Sequence, residues 1–238
     1  MRIDVTTYKE KHTDKLLSDN AVIVIDVLRC TSAVIAALEN GADKVVPFVE
    51  PGAAAALAAG IGRSDCVLGG ERGCNPLPGF DVGNSPFEYS KNRVKGKTVV
   101  ISTSNGSAAI CGVGSAKEVF LGALSNSKAC ASAAAASGRD VLIVCSGTDG
   151  MVSADDCCAA GSIIGNILVA VPGCELTDIA MICLHLYRGW KEGTFDLLST
   201  RHCARLINLG YGEDIEYCLT EDSTTLVPVY REGIITAM

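Results

Sequence analysis

The sequence contains no apolar run long enough to cross a membrane. The longest candidate, Cys157 to Val171, is interrupted by Asn166, whereas a transmembrane helix needs about 20 consecutive apolar residues. The first ten residues lack the apolar core of a signal peptide, so we expect the protein to stay in the cytoplasm. With 48% hydrophobic and 20% charged residues, the 238-residue chain is expected to be soluble and globular.

The sequence also lacks the usual arrangements of metal-binding or disulfide-bonded cysteines. None of the 12 cysteines stands in a Cys-x-x-Cys pair. Many lie within apolar segments, where cysteine behaves as a small hydrophobic residue, so we expect reduced thiols. The three histidines, His12, His185 and His202, share no metal-ligand spacing with a cysteine or with one another. A zinc site is therefore not expected.

No stretch is rich in lysine and arginine, and the net charge is −7. Nucleic-acid binding is therefore not expected. A small anionic substrate remains compatible with this charge, because a local pocket can reverse the sign of the potential. The chain has neither a Gly-x-Ser-x-Gly nor a Gly-x-Gly-x-x-Gly motif, which argues against a hydrolase triad and against dinucleotide binding.

Three apolar runs that resemble buried strands each lead into a polar loop and then into a helical pattern. The runs are Ala21 to Ile25, Thr98 to Ile101 and Val141 to Val144, and their loops begin at Asp26, Ser102 and Cys145. In a parallel sheet such strand ends gather on one edge, where α/β proteins usually bind ligands. Their hydroxyls, carboxylates, arginine and helix-start N–H groups suit an anion held beside a hard cation.

The alternation of strand and helix patterns along the chain predicts a three-layer α/β/α fold with a mostly parallel or mixed sheet. We expect one α/β domain, or two lobes that share one sheet. Between Cys66 and Arg93 the periodicity fails and Gly, Pro and Asn are concentrated, which indicates a functional loop. Two or three helices are expected after Asp178, and a closing strand from Thr225 to Tyr230.

The individual motifs allow two interpretations each. Asp26 could serve a metal or catalysis, or could be only a helix N-cap or a partner for Arg29. The pair Asp155-Asp156, with Asp149, could bind Mg²⁺, or could only complement a helix macrodipole. The loop from Thr103 to Ser107 could bind an anion or could be an ordinary turn with an N-cap.

Two apparent phosphate motifs carry little weight. Cys66 and Arg72 have the Cys-x5-Arg spacing of cysteine phosphatases, but a match is common by chance in a chain this rich in cysteine, and no histidine precedes Cys66. Gly96-Lys97-Thr98 is similar to the end of a P-loop, yet position 91 is lysine rather than glycine and a strand follows.

Five segments in order resemble the 2-phosphosulfolactate phosphatase family over about residues 3 to 235. They are Val24 to Arg29, Gly69 to Gly73, Pro78 to Pro86, Thr103 to Gly106 and Ser146 to Gly150. The resemblance implies a Mg²⁺-dependent phosphatase that hydrolyses 2-phospho-3-sulfolactate to sulfolactate, a step of coenzyme M synthesis, and that accepts related 2-hydroxyacid phosphates. Cys30 stands where the family usually has alanine, and Asp155-Asp156 where the pair is closer to Glu-Asp.

The resulting hypothesis assigns three sets of residues. The catalytic candidates are Asp26, Arg29, Glu71 and Arg72. Substrate binding is assigned to Asn84, Ser85, Thr103, Ser104, Asn105, Gly106 and Ser107. The candidate Mg²⁺ ligands are Asp26, Glu71, Asp81 and Asp156. Metal and arginine would neutralise charge on the transferring phosphoryl group.

Two other functions stay open. The chain could be a non-catalytic binding protein for a phosphorylated or sulfonated metabolite, or a phosphatase that uses Cys66 as its nucleophile. Metal-dependent turnover separates both from the leading hypothesis. The expected partner is a small anionic phosphate ester, with neither nucleic acid nor membrane, and a homodimer stays open.

Overall fold

The strands of the chain join into one sheet. In the computed structural model, which describes residues 1–238, eleven strands are present: β1 (Arg2–Thr6), β2 (Asn20–Ile25), β3 (Lys44–Pro47), β4 (Cys66–Arg72), β5 (Asn75–Pro76), β6 (Thr98–Ser102), β7 (Glu118–Gly122), β8 (Asp140–Cys145), β9 (Glu175–Leu176), β10 (Pro228–Arg231) and β11 (Ile234–Ala237).

Ten α-helices connect these strands: α1 (Asp14–Asp19), α2 (Cys30–Glu39), α3 (Pro51–Ile61), α4 (Lys91–Val94), α5 (Gly106–Gly112), α6 (Ser127–Ala136), α7 (Ala154–Ala170), α8 (Asp178–Lys191), α9 (Arg201–Asn208) and α10 (Gly212–Cys218). Short 3-10 turns cover Pro86–Glu88, Leu124–Asn126 and Leu197–Ser199. None of the helices is long and apolar enough to span a lipid bilayer.

The sheet consists of two parallel blocks joined by a hairpin. The strand order is β5-β4-β6-β3-β11-β10-β7-β2-β8-β1-β9. Strands β4, β6 and β3 are parallel to one another, as are β7, β2, β8, β1 and β9. The hairpin β10–β11 lies between the blocks and is antiparallel to β7 on one side and to β3 on the other. Three successive antiparallel pairings make the two blocks run in opposite directions.

Because the two blocks run in opposite directions, the polar loops do not meet simply by following parallel strands of one sheet. In a flat sheet the carboxyl ends of the two blocks would lie on opposite edges. However, residues that follow β2 and β8 in one block line the same cavity as residues that follow β4 and β6 in the other. Each strand step adds about 20–25° of twist. Five to seven steps separate β2 and β8 from β6 and β4, so an accumulated twist of roughly 100–175° brings the two sets of ends together.

The two faces of the sheet are covered by different helices. Along β2, Ala21, Ile23 and Ile25 belong to a core of 33 residues, in which α6, α7 and α8 pack on one face. Val22 and Val24 belong to a core of 25 residues under α2 and α5 on the other face. All five side chains are fully buried. The near-continuous apolar run of this strand is thus explained by burial on both faces, and the predicted three-layer α/β/α fold is confirmed.

The sequence-based element boundaries fail in four places. The segment expected to be irregular from Cys66 begins with a strand, β4. Its two glycines obscured the strand pattern, and both are required by close packing: a Cβ at Gly70 would lie 2.1 Å from the Ser102 carbonyl oxygen, and one at Gly69 would lie 2.3 Å from the Tyr89 hydroxyl. Helix α1 and strand β11 were not expected. The closing strand is shorter than expected and begins at Pro228.

Candidate active site

One polar cavity lies where the ends of the two blocks meet. Only three of its 14 lining residues are hydrophobic, so its ligand should be polar. The lining residues come from the loops after β2, β4, β6 and β8, from the segment before Pro86, and from helix α9: Asp26, Leu28, Arg29, Glu71, Gly73, Cys74, Asn84, Ser104, Asn105, Thr148, Asp149, His202, Arg205 and Leu206.

Asp26 is a buried carboxylate that receives few hydrogen bonds from the protein. It directly follows β2, and its side chain is 7% exposed. The one hydrogen bond to the carboxylate comes from the Cys30 N–H, at a long 3.4 Å. Burial raises the pKa of Asp26 to about 6, with the charge of His202 opposing the rise and that of Glu71 adding to it. Its oxygens are therefore available to a cation or a donor in the cavity.

Glu71 lies at the end of β4 and joins two loops. Its Oε1 accepts from the Ser104 N–H at 2.7 Å, and its Oε2 accepts from the Cys74 N–H at 2.8 Å and from the Ser104 hydroxyl at 3.2 Å. These three bonds fix the carboxylate on the cavity wall. A carboxylate has about four acceptor positions, so capacity remains for one further partner.

Arg29 lies at the start of α2 and is held by groups from distant parts of the chain. Its Nη1 is 2.6 Å from Asp214 on α10, and its Nη2 donates to the Cys74 carbonyl at 3.2 Å. The Ser85 hydroxyl donates to the other Asp214 oxygen at 2.7 Å. The guanidinium also stacks 3.9 Å from the centre of the Tyr211 ring. A guanidinium has five donors, so Arg29 keeps donors for an anion in the cavity.

Two asparagines present amide groups to the cavity. Asn84 is 5% exposed, and its Oδ1 is buried without a hydrogen-bond partner. The Oδ1 of Asn105 accepts from Lys9 Nζ at 3.1 Å, which leaves the Nδ2 donors for a ligand oxygen. Lys9 also donates to the Ser104 carbonyl at 2.7 Å. The orphaned oxygen of Asn84 is the clearest sign that a ligand completes this wall.

His202 enters the cavity from α9 and is paired with Asp155 of α7. The imidazole Nδ1 lies 3.1 Å from Asp155 Oδ2, and the side chains are 10% and 1% exposed. Burial opposes the charge on His202, but hydrogen bonds to Asp155 and to the Cys74 side chain raise the pKa of the imidazole to about 10. His202 thus adds positive charge to the cavity at neutral pH.

Several predicted substrate-binding residues instead organise the start of α5. The Ser107 N–H donates to Thr103 Oγ1 and the Thr103 N–H to Ser107 Oγ, each at 2.9 Å, in a reciprocal cap of the kind that fixes a helix start. Both residues are buried and neither lines the cavity. Gly106 brings the helix against Asp26: a Cβ there would lie 2.5 Å from Asp26 Oδ2.

Two predicted site residues lie outside the cavity. Arg72 donates to the carbonyls of Val49, Glu71 and Ser102 and to the Ser102 hydroxyl, so its guanidinium ties β4 to its neighbours and is not free for a phosphoryl group. Asp81 pairs with Arg63 and accepts from the Leu68 N–H at 2.8 Å. The sequence hypothesis placed both at the site because adjacent motif positions cannot show which way a side chain points.

Asp156 is also wrongly placed among the metal ligands. It is 2% exposed and accepts from the Val27 N–H at 2.9 Å, the Gly147 N–H at 3.0 Å and the Ser146 hydroxyl at 3.1 Å. These bonds join the ends of β2 and β8 and leave it off the cavity wall. Of the four predicted carboxylates, Asp26 and Glu71 line the cavity and Asp81 and Asp156 do not. No group of three or more His, Cys, Asp or Glu side chains is arranged to hold a metal ion.

Cys66, the alternative nucleophile, lies at the amino end of β4. It is 2% exposed and packs in a small core with Ala54, Ala58, Leu68 and Val100. Glu71 is five residues further along the same strand, which corresponds to about 16 Å. Cys66 is therefore remote from the cavity, and the Cys-x5-Arg spacing has no counterpart in a phosphate loop.

Sequence reasoning missed four polar residues around the cavity: Lys9, His202, Arg205 and Asp214. Arg205 lies on the rim, with Nη1 3.3 Å from Asp149 Oδ2 and Nη2 donating to the Gly73 carbonyl at 3.1 Å. None of the four belongs to the five motifs, and their approach depends on tertiary packing alone. The one available signal was a histidine inside an amphipathic helix pattern, which is more often a core or surface residue.

Comparisons with known proteins agree with this arrangement. A family model described as 2-phosphosulpholactate phosphatase matches residues 5–233. The chain belongs to the 2-phosphosulfolactate phosphatase family. It is an enzyme of the phosphoric monoester hydrolase class. The predicted family and enzyme class are thus confirmed.

Curated relatives in this family match over nearly their full length. A probable 2-phosphosulfolactate phosphatase of Caldanaerobacter subterraneus subsp. tengcongensis is 40% identical over 223 residues, covering 93% of this chain and 92% of that protein. One of Clostridium tetani is 39% identical over 235 residues, covering 99% and 100%. One of Clostridium beijerinckii is 35% identical over 236 residues, covering 99% of each. The family likeness therefore includes every element that lines the cavity.

Proposed function

We propose that this chain is a Mg²⁺-dependent phosphatase that hydrolyses 2-phospho-3-sulfolactate to sulfolactate and phosphate, and that it also accepts related 2-hydroxyacid phosphates. The observation that carries the proposal is the meeting of Asp26 and Glu71 with Arg29, Arg205 and His202 on one polar cavity. Such a mixture of carboxylates and cations suits a phosphate ester that is bound together with a hard metal ion.

The donor set fits a single Mg²⁺. Mg²⁺ prefers hard oxygen ligands and is usually held by one or two carboxylates, with water and substrate phosphate at the remaining positions. Asp26 and Glu71 would supply the carboxylates, and the unpartnered Oδ1 of Asn84 would supply a third oxygen or a contact to a bound water. When bound, the ion would neutralise charge on the phosphoryl group and orient it.

The cationic side chains would bind and orient the anion. Arg29 is immobilised by Asp214 and Tyr211, so its remaining donors are already aimed before substrate arrives. Preorganised positive charge near the phosphoryl oxygens is the largest contribution that a protein makes to phosphoryl transfer. Arg205 on the rim and the amide of Asn105 would contact the carboxylate or sulfonate of the substrate.

The alternatives have less support. A non-catalytic binding protein would not need Asp26, a buried carboxylate that burial and Glu71 disfavour. A mechanism through Cys66 would need that thiol near the cavity. We therefore assign Cys66 a packing role and propose that Cys66→Ser keeps most activity.

We also propose that the protein acts in the cytoplasm, within coenzyme M synthesis or a related use of sulfolactate. All twelve cysteines are free, and free thiols in such number are typical of a reducing compartment.

A panel of phosphate esters tests this function. Purified protein is assayed for phosphate release from 2-phospho-3-sulfolactate, 2-phospholactate and a simple alkyl phosphate, with Mg²⁺ and with excess EDTA. We expect turnover of the first two esters, its loss in EDTA and its recovery when Mg²⁺ is restored. Full activity in excess EDTA would contradict the Mg²⁺ assignment, and binding without turnover would favour the binding-protein alternative.

A further inference from the structure

We propose that His202 is the general acid that protonates the oxygen of the departing 2-hydroxyacid, and that Asp155 is the residue that positions it. This inference rests on the proposed phosphatase function and adds a residue to it. The leaving group in such an ester is a secondary alkoxide, a strong base that departs slowly unless it receives a proton. A positioned side chain that supplies the proton accelerates such a step by about 10²- to 10⁴-fold.

The imidazole is held in one orientation by its Nδ1. Asp155 Oδ2 lies 3.1 Å from Nδ1, and the hydroxyls of Thr148 and Ser153 lie 3.3 and 3.4 Å from it. The Ser153 hydroxyl also donates to the other oxygen of Asp155. Both carboxylate oxygens are therefore committed, so the Asp155 side chain cannot rotate away from the ring.

Because Nδ1 is occupied by these three groups, Nε2 is the nitrogen that can act in the cavity, with the Cys74 side chain beside the ring. His202 lines the cavity, and a histidine whose Nδ1–H is bonded to a buried carboxylate presents Nε2 to its reaction partner. The acidic and thiol groups that face the ring are Asp155 from α7, Asp26 from the loop after β2 and Cys74 from the loop after β4. The buried carboxylate of Asp155, 3.1 Å from Nδ1, favours the protonated ring that a general acid requires.

The proposed step balances without a further reactant. Water attacks phosphorus, the bond between phosphorus and the 2-oxygen breaks, and that oxygen takes the proton from His202 Nε2 to leave as the alcohol. The phosphate leaves as dihydrogen phosphate, which carries both protons of the water. The neutral imidazole then recovers a proton from the phosphate or from solvent.

The dependence of the rate on the basicity of the leaving group distinguishes a histidine that acts as a general acid from one with only a structural role. The substrates are 2-phospholactate and its 3,3,3-trifluoro analogue, whose alkoxide is a much weaker base and needs no proton to depart. We expect His202→Gln to lower kcat on 2-phospholactate by about 10²- to 10⁴-fold but to lower kcat on the trifluoro ester by about tenfold or less. Equal losses on the two esters, in a variant that melts like the wild type, would overturn the proposal.

His185→Gln is the matched control, because His185 lies on the exposed side of α8; both esters should be hydrolysed at wild-type rates. Asp155→Asn should produce the same unequal losses as His202→Gln, in smaller degree. Cys74→Ser should leave the ratio of the two rates as in the wild type. If Cys74→Ser instead removed turnover of both esters, the imidazole would be activating a thiol and the proposal would fail.

The wild-type enzyme gives a test that needs no variant to fold. If His202 supplies the proton, the rates on the two esters should be similar. A wild-type rate at least about a hundredfold higher on the trifluoro ester would show that no acid assists departure. Failure of the wild type to hydrolyse any of these esters would instead count against the phosphatase function itself, so the two failures are distinguishable.

Discussion

At the residue scale, the buried carboxylate of Asp26 costs the folded protein stability, and its proposed role in the site accounts for that cost. The folded protein raises its pKa to about 6 from an ordinary 3.8. A carboxyl whose pKa is raised on folding destabilises the native state as the pH rises through the interval between the two values, because the folded form must give up a proton that it holds more tightly. Above about pH 6 the full penalty applies, roughly 2–3 kcal/mol by this shift.

We therefore expect Asp26→Asn to unfold at a higher temperature than the wild type at pH 7.5 in EDTA. The gain should shrink as the pH falls towards 4, where the wild-type carboxyl is protonated in both states. Thermal melts across this range measure it. Asp81→Asn is the control and should lower the melting temperature slightly, because it removes the charge pairing with Arg63 while its amide oxygen can still accept from the Leu68 N–H. A pH-independent difference between Asp26→Asn and wild type would contradict the assignment.

At the element scale, the close approach of α5 to α2 positions the carboxylate. The contact is made possible by Gly106, since a Cβ there would lie 2.5 Å from both Asp26 Oδ2 and Cys30 Cβ. Gly112 ends the same helix, and a Cβ at that position would meet nothing within 4 Å.

The two glycines make a matched pair of variants. Gly106→Ala should displace Asp26 or the helix, with a loss of kcat/KM of the order of a hundredfold and a lower melting temperature. Gly112→Ala should keep activity and be neutral or stabilising by up to about 1 kcal/mol, because alanine is the better helix former. Steady-state kinetics and melting curves of the two proteins check this, and equal effects would show that the contact at Gly106 is unimportant.

The elements that the sequence predicted well are those whose burial is regular. Strand β2 lies between two helical layers, so its apolar run is continuous and its boundaries are nearly as expected. Strand β4 was mistaken for a loop because it contains Gly69 and Gly70. Glycine has a low strand propensity, but close packing requires it at these two positions. At the site, Asp26 could be proposed because it directly follows a predicted strand, and Glu71 because it lies in a segment that resembles the family. His202 and Asp214 could not, because helices α9 and α10 reach the cavity only through tertiary packing.

At the scale of the whole molecule, the C-terminal hairpin links the two blocks. Val229 on β10 pairs with Phe120 on β7, and Ile235 on β11 pairs with Val45 on β3. The cavity takes residues from both blocks, so it exists only while the hairpin holds them in one sheet. We propose that the chain folds as one domain for this reason.

A single unfolding transition is therefore expected. Trp190, the only tryptophan, lies on α8 beside the larger block, whereas far-UV circular dichroism reports on all helices and strands. The two signals should follow the same denaturant curve with one midpoint. A tryptophan transition that is clearly separated from the circular dichroism transition would show two independently folding lobes.

The central claim is that Asp26, and not a carboxylate elsewhere, serves a metal-dependent phosphatase site in this cavity. The most direct measurement is Mg²⁺-dependent phosphate release from 2-phospho-3-sulfolactate by the wild type, by Asp26→Asn and by Asp81→Asn. We expect wild-type and Asp81→Asn proteins to turn over at similar rates and both to stop in EDTA, while Asp26→Asn is slower by at least about a hundredfold. Wild-type rates from Asp26→Asn would contradict the account, as would undiminished turnover of the wild type in EDTA.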